Sequence, residues 1–139
     1  MTTVLIQTDT RYPLNRKVVR RAVAETFKKH KVENLDSEVS VSVVGSRKMK
    51  QLTQKYLKEI SKHQILTFSF EDLAQSGQNV NISHQGFVNP PDDILRLGDI
   101  VLCWPEVLDE ASKDDMMVDD EVYDLVCHGV EHLLGYNHE

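Results

Sequence analysis

Three histidines near the C-terminal end stand in the spacing H-x-x-x-H-x-x-G-x-x-H, as His128, His132, Gly135 and His138, and this pattern constrains the chain more than any other feature. It requires a helix that then stops. Asp119, Asp120 and Glu121 suit the positive N-terminal end of such a helix, and Val122, Leu125, Val126, Val130 and Leu133 form an apolar stripe along it. On that helix His128 and His132 lie about 40° apart in azimuth and about 6 Å apart along the axis, so their ring nitrogens can converge on one ion. Gly135 ends the helix three residues after His132 and lets the chain turn, so that His138 returns as a third donor. Three protein donors leave a fourth position open, the arrangement of catalytic rather than structural zinc, in which a bound water becomes acidic enough to attack at neutral pH. Random placement of the six histidines would give this spacing in about one such sequence in a hundred, too rarely to dismiss it. Imidazole donors favour one zinc ion and also accommodate other divalent transition metals.

The rest of the chain predicts the frame that carries this helix. With 139 residues and 40% apolar content it can bury a core as a single domain, 1–139, without disulfides or repeats. Val4 to Thr8 reads as a first strand, and Tyr12-Pro13 turns into a helix over about Leu14 to Lys31, with Val18, Val19, Ala22, Val23 and Phe27 on its buried stripe. Glu38 to Val44 alternates with period two and predicts a strand. Gly45-Ser46 breaks it, and Met49, Leu52, Tyr56 and Leu57 then recur at helical intervals to about Glu59, with Ser46 as the expected N-cap. Ile65 to Phe70 and Asp99 to Trp104 are the third and fourth strands, the last buried on both faces. Between them Glu71 to Arg96 is polar and holds two glycines and two prolines, with a possible short hairpin around Val80 to Val88. The expected class is α+β (mixed α/β): about four strands in one mixed sheet packed with three to four helices, the metal site on the C-terminal one.

The net charge of −6 argues against indiscriminate capture of nucleic acid, so any phosphate-binding surface must be local. Positive charge is indeed segregated, since Arg11, Arg16, Lys17, Arg20, Arg21, Lys28, Lys29 and Lys31 lie in the first quarter while Asp109 to Glu121 is acidic. Cys103 and Cys127 form no C-x-x-C pair and are expected as core thiols in a reducing compartment. No basic segment followed by a long apolar run opens the sequence and no stretch is long enough to span a bilayer, so a cytoplasmic protein without membrane contact is expected.

The histidine spacing is shared with metzincin peptidases, which place a glutamate base directly after the first histidine; here that position is Gly129. The local string H-x-x-E-H of inverted zincins is also present, but the further acidic ligand they need well downstream is not, so a metallopeptidase is the weaker reading. The full string His128-Gly129-Val130-Glu131-His132-Leu133-Leu134-Gly135-Tyr136-Asn137-His138 instead resembles the H-G-x-x-H-L-x-G-Y-x-H motif of the YbeY family, metal-dependent, single-strand-specific endoribonucleases of ribosomal RNA maturation. Leu97-Gly98-Asp99-Ile100 is similar to that family's L-G-D-I strand, Ile65-Leu66-Thr67-Phe68 to its V-L-S-F strand, and Glu121 falls where a glutamate commonly opens the metal helix.

The resemblance implies that His128, His132 and His138 are the zinc ligands, that the metal lies in a cleft, and that single-stranded RNA, ribosomal RNA or the ribosome is the partner, with the basic first helix flanking an RNA groove. The chain also departs from the family pattern. Leu57, beside Lys58, stands where the family carries an arginine implicated in substrate handling or catalysis, His63-Gln64 replaces Thr-Asp, and Asn137 and Glu131 replace an aspartate and an apolar residue. Glu131 is expected to face solvent and is not assigned as a base; no catalytic residue is assigned. The alternative from another class is a metal-stabilised ribosome-assembly or RNA-binding factor with little or no catalysis, which Leu57 and His63-Gln64 favour.

Overall fold

The computed structural model describes residues 2–9, 11–58, 63–69 and 94–136. Four strands and four helices are found among them, in the order β1 (Thr2–Gln7), α1 (Arg16–Lys29), β2 (Ser37–Val44), α2 (Ser46–Tyr56), β3 (Ile65–Ser69), β4 (Leu95–Cys103), α3 (Trp104–Lys113) and α4 (Val118–Leu133). The strands form one mixed sheet in the order β1-β2-β4-β3, parallel except for β3, which runs antiparallel to β4. The fold is α+β, as the pattern of elements predicts.

Period-two alternation decides which face each β2 residue takes. Val39, Val41 and Val43 are buried on the face that receives α1, α3 and α4, together with Ile100 and Leu102 of β4. Val18, Val19, Ala22, Val23 and Phe27 of α1 and Val122, Leu125, Val126, Val130 and Leu133 of α4 complete this core, so both predicted stripes point inward. On the opposite face Met49 and Leu52 of α2 cover Leu66, Val101 and Cys103. Ile100, Val101, Leu102 and Cys103 are therefore buried in succession, as a strand clothed on both faces requires. Both cysteines are free thiols, Cys103 buried and Cys127 half-buried. Among the described residues no helix is long and apolar enough to cross a membrane.

Local chemistry shifted several element ends. Trp104 opens α3 instead of ending β4, because Pro105 in the first turn is preorganised for a helix start and cannot donate to a ladder. Gly45, not Ser46, is the N-cap of α2: its extended backbone offers its carbonyl to the Met49 N–H at 3.1 Å, and a side chain there would meet the Tyr12 hydroxyl. Asn15 does cap α1, its side-chain oxygen accepting from the Lys17 N–H at 3.1 Å. The possible hairpin around 80–88, and all of the polar segment but its last residues, lie outside the described residues, as do Glu59 and Phe70.

β1 lies at the edge of the sheet, where unpaired carbonyls would invite another strand. Arg20 donates to the Val4 carbonyl at 3.1 Å and Arg16 to the Ile6 carbonyl at 3.4 Å. Two of the arginines read as a basic helix face thus cover a sheet edge. Arg21 lies over the Tyr123 ring at 4.9 Å, so it too is engaged within the protein.

Candidate metal centre

The helix that carries the histidine pair rests on the sheet through its glycine. A Cβ at Gly129 would lie 3.0 Å from Ile100 Cδ1 and 3.3 Å from Thr67 Cγ2, so the α4 backbone approaches β3 and β4 closely there and a larger residue would have to displace these side chains. A glutamate in that position would point into the sheet, which removes the general base that a metzincin-like reaction needs. His128 and His132 flank this contact on the outward side and are both exposed.

The end of α4 is set by a Schellman motif. The Tyr136 N–H donates to the Glu131 carbonyl at 2.9 Å, the Gly135 N–H to the His132 carbonyl at 3.1 Å, and Gly135 has φ +95°, in the left-handed region that favours glycine. The chain leaves the helix axis two residues before His138, which lies outside the described residues. Among the described residues no three His, Cys, Asp or Glu side chains converge to hold an ion. Two exposed imidazoles one turn apart near the end of a helix are a donor set that zinc accepts.

Glu131 does not face solvent. Its side chain is 5% exposed, and its Oε2 lies 2.8 Å from His30 Nε2 and 3.1 Å from Lys29 Nζ, both at the C-terminal end of α1. Burial of a carboxylate requires such partners, and α1 supplies them because its last turn packs beside the last turns of α4. The His30 ring also stacks on Tyr136, centroids 4.0 Å apart and planes within 22°. Nothing local in the sequence pairs residue 30 with residues 131 and 136.

Between α1 and α4 lies a cavity of about 260 Å³ bordered by His128, Glu131, Lys29, Glu25, Tyr123 and Cys127. Lys29 of α1 thus borders the same cavity as His128. The Tyr123 hydroxyl donates to Glu25, and that bond holds the phenol well above its ordinary range. Burial raises the Cys127 thiol, so the group beside His128 is a poor nucleophile at neutral pH. Leu57, in the position of the family's arginine, is 42% exposed at the end of α2.

Glu121, in the first turn of α4, is buried, and burial pushes its carboxyl above the usual 4.5; Asp114 adds to this and a hydrogen bond from Gln64 opposes it. A carboxyl with a raised folded-state pKa gives its full contribution to stability below 4.5 and loses it as pH rises through the folded value. The buried Oε1 of Gln64 has no hydrogen-bond partner among the described residues. Glu121→Gln removes the ionisation and can offer Gln64 a donor. The variant should melt higher than the parent at pH 7, with the gain shrinking by pH 4, in thermal scans of metal-free protein; an equal or lower melting point at pH 7 would contradict this.

Comparison with known proteins bears on the whole frame. A family model described as Endoribonuclease YbeY matches residues 6–139. A protein of Roseiflexus castenholzii named Endoribonuclease YbeY is 33% identical over 122 residues, 88% of this chain and 69% of its own length. One of the same name from Acinetobacter baumannii is 31% identical over 137 residues, 96% of this chain and 78% of its own. A solution structure from Thermotoga maritima is similar with a TM-score of 0.56 at 22% identity, covering 99% of this chain and 75% of the other, a likeness of fold.

Proposed function

The chain belongs to the YbeY family, and from that premise we propose that it is a zinc-dependent endoribonuclease that cuts single-stranded RNA during ribosomal RNA maturation. The observation that carries the proposal is the exposed pair His128 and His132, one turn apart on a helix seated on the sheet through Gly129. These two and His138 would hold the ion. Zinc held there would supply Lewis acidity at a phosphodiester and a nucleophile at neutral pH. The chain's own part is to fix the imidazoles. Glu131 is excluded as the base for the attacking water, because its carboxylate is buried and engaged by Lys29 and His30. Lys29 borders the same cavity as His128 with its side chain 68% exposed, which suits a salt-sensitive contact with an RNA phosphate.

Exposed Leu57 supports a second reading, a zinc-stabilised ribosome-assembly or RNA-binding factor that cuts little. Zinc-loaded parent and Leu57→Arg should be given one unstructured RNA and the same RNA annealed to its complement. The nuclease reading expects the parent to cut the single strand and spare the duplex, with a gain from the arginine. Binding without cleavage by either protein would favour the assembly factor, and equal cutting of both RNAs would contradict single-strand specificity.

A further inference from the structure

The Schellman motif at the end of α4 is tied together by a residue from another helix. In such motifs an apolar contact usually joins the residue three before the cap to the second residue beyond it. Here those two positions are Glu131 and Tyr136, joined by the 2.9 Å bond from the Tyr136 N–H to the Glu131 carbonyl. Their side chains meet through His30, which stacks on the Tyr136 ring at 4.0 Å and bonds the Glu131 carboxylate at 2.8 Å. His30 is itself well fixed. It is the C-cap residue of α1, its N–H donates to the Thr26 carbonyl at 3.2 Å, and Thr26 and Phe27 before it are buried. One imidazole from α1 therefore fixes both the helical residue next to His132 and the residue two before His138.

We propose that His30, acting with Glu131, is a positioning residue for the metal centre: it fixes the last turn of α4, which carries His132, and the direction in which the chain leaves that helix. The inference rests on His128, His132 and His138 being the ligands. A helix end frays unless something ties it down. At this end the tie is a buried carboxylate and a stacked ring on one partner. Glu131 stands where a Schellman motif usually makes an apolar contact, and a buried carboxylate in that place needs His30 to be satisfied. Lys29 adds its charge to the same carboxylate from a solvated position.

The test is zinc affinity, read by competition with a chromophoric chelator, together with the visible absorption of the cobalt-substituted protein and the melting of the metal-free form. Parent, His30→Ala, Lys29→Ala and His132→Ala are compared. His30→Ala should bind zinc at least about tenfold more weakly and show an altered cobalt spectrum, the size expected when a group that orients a ligand is lost, while Lys29→Ala, which leaves the His30 stack and bond in place, should lose less. Should His30→Ala fail to fold, His30→Gln keeps a donor for Glu131 without the stack and Tyr136→Ala removes the stack from the other side. Each should then weaken zinc binding by a smaller factor. Parental affinity and cobalt spectrum in folded His30→Ala, or in both partial variants, would overturn the inference, and a lowered melting point alone would mark His30 as merely structural. Parental zinc affinity in His132→Ala would instead overturn the ligand assignment on which the inference stands.

Discussion

Gly98→Ala is expected to destabilise the protein by about 3 kcal/mol, measured as a fall in the urea midpoint at unchanged slope, with a melting point roughly 10 °C lower. Gly98 has φ +147°, and a Cβ there would lie 2.2 Å from the Phe68 carbonyl oxygen and 2.8 Å from Ser69 Cα. Both obstacles are backbone of β3, paired in register with Asp99 and Gly98 themselves, so neither can retreat without opening the ladder. The glycine follows an irregularity in which Arg96 pairs with Glu38 and Gly98 with Val39, leaving Leu97 as the extra residue of a bulge. Leu133 Cδ2, 2.9 Å from the same Cβ, belongs to the last turn of α4, so the clash also presses on the end of that helix. A loss below 1 kcal/mol would mean that β3 is more yielding than its pairing implies.

His128→Ala is expected to weaken zinc binding by more than about a hundredfold, beyond the range for groups that only orient a ligand. Its side chain is exposed, so truncating it opens no cavity in the core. Zinc should raise the melting point of the parent as any ligand specific to the native state does, chelator should reverse the rise, and the variant should show neither. A variant that is stabilised by zinc as much as the parent would remove His128 from the ligand set.

Most of the frame is legible in the sequence because it is written in short periods. Ser37–Val44 alternates buried and half-buried residues along its length, and the five apolar residues read on α4 all reach the core. Ends of elements are harder. Ile100 to Trp104 is apolar without interruption, so its change from strand to helix at Trp104 shows only in Pro105, and the cap at Gly45 depends on where Tyr12 lies. The two exposed imidazoles on one helix face follow from spacing alone. The surroundings of Glu131 do not. Its azimuth is fixed by the helix, but its burial depends on where α1 ends, and His30 lies 101 residues away in sequence. Arg16 and Arg20 likewise read as a charged face and prove to be the cover of an edge strand, because a linear charge pattern carries no information about the neighbouring strand's carbonyls.

The most direct test of the central claim is cleavage of an unstructured RNA oligonucleotide by zinc-loaded protein beside His132→Ala prepared identically. The proposed mechanism predicts fragments from the parent, their loss with chelator, and intact RNA with the variant. Equal cleavage by both, or none by either, would contradict a ribonuclease built on this histidine pair.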